Sequence, residues 1–318
     1  MKDFSNYKQA LELINNSHYI LILTHLNPDA DTISCGLALS NYFSEHRIKH
    51  KVVNKQTNIP ENLNFLNRFD KITDQLPSFF DLVIYVDCGD INRPDIQIDS
   101  DIKSINIDHH QSNNHFATVN IVDDTKASSA ELVYQFFKQN NLKISQQTAI
   151  CLYTGIYDDS LHFSTPRTNS STFEVVNELV KLNVDPSFVA NNLTRRESLA
   201  KYRLLPMILN SLELHFEGEV ATIYILPQWL KISGASYRDC EDAINMILNI
   251  AVVQIAIFLR VSNGKTRVSL RSKKDDVATI AQHFNGGGHK LAAGCSCETT
   301  DVIEAKDMIL QYIKKEKN

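Results

Sequence analysis

Three separated stretches of this 318-residue chain combine carboxylates with imidazoles. THLNPDAD (24–31) brings His25, Asp29 and Asp31; VDCGD (86–90) brings Asp87 and Asp90; INIDHH (105–110) brings Asp108, His109 and His110. Oxygen donors with a minority of imidazole nitrogens suit Mn²⁺ or Mg²⁺, and the histidines favour Mn²⁺. Cys35 and Cys88 lack a partner at metal-ligand spacing, which disfavours structural zinc. So many acids around one ion would leave negative charge uncompensated, so two ions about 3.5–4 Å apart, sharing carboxylates, are the economical arrangement. Taken alone, an Asp after a strand is often only a helix N-cap, and Asp31 before TISCGLAL fits that description too. The case for a site rests on the whole set. His109 and His110 raise a further question, because adjacent residues of an extended strand point to opposite faces.

Positioning these residues requires elements that bring them to one edge. Apolar runs of strand length at 19–24, 51–54, 81–87 and 104–108 alternate with helical periodicity, which predicts an α/β fold: a parallel sheet with helices on both faces. Each ligand-bearing stretch lies at the carboxyl end of such a run, the edge where ligands bind in open parallel sheets. Helices are predicted from DTISCGLALSNYFSEH, ASSAELVYQFFKQN, SQQTAICLYTGIYDD and SSTFEVVNELVKL, followed by a helical stretch interrupted at Pro206. From about 213 the pattern changes to hairpins, one of them turning at Asn263 and Gly264, with a closing helix over 302–315. The predicted organisation is a catalytic domain at 1–190, a helical linker at 191–212 and a smaller α/β domain with a mixed sheet at 213–318.

Composition bounds the class. With 43% hydrophobic residues the chain can bury a sizeable core, and its net charge of −5 argues against a general polyanion binder. Arg260, Lys265, Arg267, Arg271, Lys273 and Lys274 nevertheless form a basic strip without an intervening acid. Six cysteines without a C-x-x-C pair argue for reduced thiols and a cytoplasmic setting. The N-terminal stretch reads as an amphipathic helix rather than a signal peptide. The apolar run at 243–259 carries Asn245, Asn249 and Gln254, so it reads as a buried helix running into a strand rather than a membrane span.

THLNPDAD, VDCGD, DHH and TGIYDDSLHF resemble, in order and spacing, the four motifs of the DHH phosphoesterase family, and GGGHKLAAG (286–294) resembles the signature of the associated DHHA1 domain. In length and domain coupling the chain looks most like the nanoRNase subfamily, which cleaves short oligonucleotides and removes the 3′-phosphate from 3′-phosphoadenosine 5′-phosphate (pAp). That resemblance implies one Mn²⁺ held by His25, Asp29, Asp87 and Asp159 and a second held by Asp31, Asp87, His109 and Asp159, with Asp87 and Asp159 bridging. It implies that His110 faces the substrate phosphate, and that Asp108 orients an imidazole from behind the ligands. The ions would activate a water for in-line attack on phosphorus. Where relatives commonly read Thr-Asp-Thr-Gly, this chain has Asp158, Asp159, Ser160 and Leu161, so register favours Asp159 as ligand with Asp158 as the alternative.

The glycine run and basic strip then read as a phosphate grip made by Arg271, Ser272, Gly287, Gly288 and His289; a flexible turn is the plainer reading of the glycines. The expected partners are short single-stranded RNA or DNA, or nucleotide phosphates, with no membrane and a homodimer left open. A phosphodiesterase for cyclic or linear dinucleotides is the alternative within the superfamily. A nucleotide sensor without turnover is the alternative from another class.

Overall fold

In the computed structural model, which describes residues 5–56 and 59–317, the chain divides between Arg196 and Glu197 into two units. The first runs α1 (Ser5–Asn16), β1 (Ile20–Leu23), α2 (Ala30–Glu45), β2 (His50–Val53), β3 (Leu82–Val86), β4 (Lys103–Asp108), β5 (Val119–Val122), α3 (Ser129–Gln139), α4 (Gln146–Asp159), α5 (Ser170–Lys181) and α6 (Pro186–Thr194). Its five strands are all parallel, in the order β2-β1-β3-β4-β5. β1 sits between β2 and β3, so the strand order reverses there and a crevice opens at the carboxyl edge. β5 was not foreseen: it is four residues long with the polar Asn120 inside it, too short and mixed to register as an apolar run.

Ile20, Ile22, Ile84, Val86, Ile105 and Ile107 pack on one face of this sheet against α1 to α4 and parts of α5 and α6. Leu21, Leu23, Val83 and Tyr85 point the other way and are covered by Phe80, Ile96, Ile98, Ile102 and Phe116, all from connecting segments. Helices on both faces were expected; here loops cover one of them. The β3–β4 connection, with turn-forming Asp90, Asn92, Pro94 and Asp99, has no helical period to sustain a helix.

The second unit contains α7 (Leu199–Leu209), β6 (Glu213–His215), β7 (Val220–Ile225), α8 (Pro227–Ser233), α9 (Ala243–Leu248), β8 (Ile255–Ser262), β9 (Lys265–Ser272), α10 (Val277–His283), β10 (Gly287–His289), β11 (Ala292–Cys297) and α11 (Val302–Lys317). Its mixed sheet runs β10-β11-β9-β8-β7-β6, with β7–β8 the parallel pair. Ile257, Leu259, Val268 and Leu270 meet α10 and α11 on one face, while Ile223, Ala256 and Phe258 meet α7 and α9 on the other. The β8–β9 turn has positive φ at Asn263 (54°) and Gly264 (75°), as a two-residue hairpin requires.

The predicted interruption at Pro206 is not observed, since Pro206 lies inside α7. The break falls at 195–198, where Ser198 accepts a hydrogen bond from the Lys201 N–H and starts a new helix. α7 buries Leu204 and Ile208 in the second unit's core. Among the described residues no helix is long and apolar enough to cross a membrane.

Candidate metal centre

His25 follows β1 by two residues, Asp87 follows β3 directly, and His109 and His110 follow β4, so three strand ends deliver their side chains to one edge. Asp29 and Asp31 come from the start of α2; Asp29 caps it, accepting from the Thr32 N–H at 3.1 Å. Asp159 is the last residue of α4. The alternation that would separate His109 from His110 stops at Asp108, where the strand ends, and the two rings then sit edge to face 4.8 Å apart.

The donors gather in overlapping sets whose atoms all lie within 4.8 Å of one another: His25, Asp29 and Asp87; Asp31, His109 and Asp159; and Asp87 with His109 and His110. Asp87 faces two of them, with Oδ2 3.3 Å from His25 Nε2 and Oδ1 3.7 Å from His109 Nε2. Asp159 Oδ2 is 3.3 Å from His109 Nε2 and belongs to the Asp31 set alone. Asp87 thus has an oxygen toward each of the two histidines, and Asp159 an oxygen toward His109. α4 approaches Asp31 closely: a Cβ on Gly155 would lie 2.5 Å from Asp31 Oδ1, so only glycine lets the helix that carries Asp159 pack there. Asp90 is absent from these sets; it forms a turn with Asn92 and bonds Asn114.

Hydrogen bonds fix the imidazoles for ligation. His25 Nδ1 lies 2.8 Å from the Leu26 carbonyl and His109 Nδ1 3.2 Å from that of Lys126, which leaves Nε2 of each ring facing the carboxylates. Asp108, fully buried, is 2.7 Å from His110 Nδ1 and accepts from Asn113 at 2.6 Å, so it orients His110 rather than His25 or His109. Asp87 has a left-handed backbone (φ 58°), a strained conformation for a non-glycine residue of the kind found at functional sites.

Crowded carboxylates here resist ionisation. Burial, then the charges of Asp87, Asp159 and Asp29, push Asp31 well above the usual carboxylate range, although the Ser129 N–H pulls it back. Burial and then the charges of Asp87 and Asp29 raise Asp159 to about 7. Its position at the C-terminus of α4 adds the negative end of a helix dipole, where a cation is favoured. Burial alone would lower His25, but its hydrogen bonds to Asp29 and Asp87 and their charges outweigh that and raise it to about 10. Burial acts against ionisation of Asp29 as well, yet its bond to His25 holds it below the usual range. The hydrogen bond to Asp108 leads the causes that raise His110, against burial. Four carboxylates and two oriented imidazoles in this confined space form a donor set that fits divalent cations.

Residues 19–156 match the DHH family N-terminal domain and residues 222–315 the DHHA1 domain. The chain is 31% identical over 316 residues to a probable bifunctional oligoribonuclease and PAP phosphatase NrnA of Streptococcus mutans, covering 96% of this chain and 99% of that one. The chain belongs to the DHH–DHHA1 family. A bifunctional oligoribonuclease and PAP phosphatase NrnA of Bacillus subtilis is 26% identical over 93% of this chain and 95% of its own. In fold, this DHH protein superposes on an exopolyphosphatase-related protein of Bacteroides fragilis with a TM-score of 0.89 at 23% identity, covering 98% and 97% of the two chains. DHH phosphoesterases are metal-dependent, and this DHH chain is a hydrolase of phosphoester bonds.

At the motif where this DHH chain departs from the usual Thr-Asp-Thr-Gly, Asp159 joins a donor set and Asp158 does not. Leu161, in place of glycine, adopts φ 47°, and His162 (60°) and Phe163 (68°) follow it into the left-handed region. Glycine would hold this turn without steric cost. His162 stacks on Tyr157 at 4.5 Å, and Phe163 packs against Tyr153 and Phe173, which holds the turn.

In the DHHA1 unit, Arg271 is half-buried on β9 and donates to the Leu270 carbonyl at 3.0 Å. Ser272 is buried, and its Oγ accepts from the N–H groups of Lys274 and Asp275 at 3.1 and 2.7 Å, closing a turn. Gly287, Gly288 and His289 are exposed in the short strand β10, which pairs with β11. Gly288 has φ 144°, and a Cβ there would lie 2.5 Å from Ala293 Cα, so this glycine is required by the hairpin itself; around Gly287 the space is open. Of the basic strip, Lys265 pairs with Glu298, Arg260 lies 5.1 Å from the centre of the Tyr237 ring, and Lys273 bonds the Ile250 carbonyl.

Sequence reasoning missed Lys126, Ser129, Glu131 and Gly155. Ser128 and Glu131 at capping-box spacing signalled only a helix start, and nothing in KASSAE points to a distant Asp31.

Proposed function

We propose that this chain hydrolyses oligoribonucleotides of about two to five nucleotides and removes the 3′-phosphate of pAp, using two Mn²⁺ ions. The carrying observation is Asp87, one carboxylate with an oxygen toward each of two separate donor sets. Relatives covering nearly the whole chain are named for both activities. His25, Asp29 and Asp87 would hold one ion and Asp31, Asp87, His109 and Asp159 the other; the two imidazoles favour Mn²⁺ over Mg²⁺. Bound there, the cations supply an activated water and neutralise charge on the phosphoryl oxygens.

The remaining residues act on the substrate. Asp108 fixes His110 through Nδ1 and favours its protonated form, in which Nε2 would donate to a phosphoryl oxygen or to the leaving ribose oxygen. Arg271, Gly287, Gly288 and His289 form the surface in the second unit that binds a substrate phosphate, with Ser272 shaping the turn beside them. The six buried thiols suit a reducing compartment, the cytoplasm.

Turnover with Mn²⁺ should be compared on pAp, linear dinucleotides, five-nucleotide RNA, long single-stranded DNA, cyclic dinucleotides and pyrophosphate. Phosphate release from pAp and mononucleotides from the short RNAs are expected. Turnover confined to cyclic dinucleotides, or two bound Mn²⁺ without turnover on any substrate, would overturn the reading.

A further inference from the structure

Three side chains of the metal centre lean on one buried segment, residues 126–131, that contributes nothing to the donor sets. The Lys126 carbonyl receives His109 Nδ1 at 3.2 Å. The N–H groups of Ser129 and Ala130 donate to Asp31 Oδ2 and Oδ1 at 2.6 and 3.1 Å, so both oxygens of that carboxylate are held by the first residues of α3. The Ser129 hydroxyl donates to Asp87 Oδ1 at 2.8 Å. Lys126 Nζ is 3.5 Å from Glu131 Oε2 and donates to Ser171 Oγ at 3.0 Å, while Glu131 Oε1 accepts from Thr172 Oγ1 at 2.9 Å and from the Ala127 N–H at 3.1 Å. Lys126, Ser128, Ser129 and Glu131 are all buried. A buried ion pair with this many bonds is costly to disturb, and it ties the segment to the first turn of α5.

We propose that Ser129 is the positioning residue of a two-ion centre, setting the rotation of Asp87 and the placement of Asp31 at once. With Oδ1 of Asp87 pinned to Ser129, Oδ2 is directed toward His25 and Oδ1 stays on the His109 side, which is the orientation a bridge needs. Ser129 thus links the one carboxylate common to both sets to a carboxylate of the second. The Lys126–Glu131 pair keeps the segment from yielding. This inference rests on the two-ion reading above.

The test is Mn²⁺ titration of the full chain by calorimetry, with the electron paramagnetic resonance spectrum of the two-ion form as a second readout. Ser129→Ala is expected to weaken Mn²⁺ binding by about 10–100-fold, the usual effect of removing a partner behind a ligand, and to alter the spin coupling between the ions. Ser129→Thr, which restores the hydroxyl, should recover most of the affinity. Asp185→Ala removes the N-cap of α6 and should lower Tm with Mn²⁺ affinity unchanged. If Ser129→Ala does not fold, Ser129→Gly removes the hydroxyl while keeping the N–H to Asp31, and the same loss is expected. Wild-type uptake of two ions with unchanged affinity and spectrum in the folded Ser129 variant would overturn this proposal alone. Failure of the wild type to take up two ions would overturn the two-ion reading and this proposal with it.

Discussion

His109 and His289 each belong to a signature motif, yet they occupy opposite settings. His109 is buried, its ring fixed by a backbone carbonyl and surrounded by three carboxylates delivered from separate elements. His289 is exposed on a three-residue edge strand, next to a glycine that the hairpin's own packing demands. In the first unit every neighbour constrains the same few atoms, so the fold determines the chemistry. In the second unit the glycine run answers first to β10–β11 packing, and its chemistry depends on what approaches the surface.

Paired substitutions probe this contrast. Asp87→Ala removes the shared carboxylate and should lower turnover by ~10³-fold or more, with loss of bound Mn²⁺. Arg271→Ala should instead raise KM for substrates bearing a 5′-phosphate by about tenfold and leave kcat nearly intact, as expected for one lost charge-assisted hydrogen bond. Equal losses of kcat in steady-state assays would break the comparison.

A gentler contrast uses glycines. Gly155→Ala forces a Cβ to 2.5 Å from Asp31 Oδ1 and 2.9 Å from Ala130 Cβ, and should cost ~1–3 kcal/mol of stability in denaturant unfolding while weakening Mn²⁺ binding. Gly287→Ala meets no atom within 4 Å and should stay within about 0.5 kcal/mol of wild type.

The smallest effect expected is a pH dependence confined to the metal-free protein. Asp159, raised from 3.8 to about 7, and His25, raised from 6.5 to about 10, both bind protons more tightly folded than unfolded. Their contributions are fully present below the unfolded values and are lost as pH rises through the folded ones, so stability should decline across that span. Asp29 acts in the opposite sense, but its window lies at and below 3.8. A divalent cation held by these groups would displace the bound protons and should flatten the decline, which thermal unfolding with and without added Mn²⁺ would measure; an unchanged slope would count against ligation by these groups.

Much of this was legible because strand ends in a parallel sheet share an edge, so apolar runs followed by His or Asp locate the crevice before its geometry is known. Asp90 shows the ambiguity that remains, because a carboxylate serving its own turn has the same sequence signature as a ligand. Ser129 was hidden because its decisive contacts reach residues 98 and 42 positions away, and one of them uses the backbone, which side-chain type does not encode. Short elements such as α8, α10 and β5 carry too few residues for a period to emerge. Pro206 misled differently, because tertiary packing of Leu204 and Ile208 outweighed a local breaker.

The run Leu161–His162–Phe163 winds against the natural hand of the chain, with one residue, Ser160, between it and Asp159. Each such residue costs roughly 1–2 kcal/mol, so tension is lodged next to the centre, restrained by aromatic stacking and by the bonds that the His162 and Phe163 N–H groups donate to the Tyr157 carbonyl and Ser160 Oγ. Phe173, half exposed on α5, touches that stack, so the packing that holds the turn beside Asp159 extends to the outer surface.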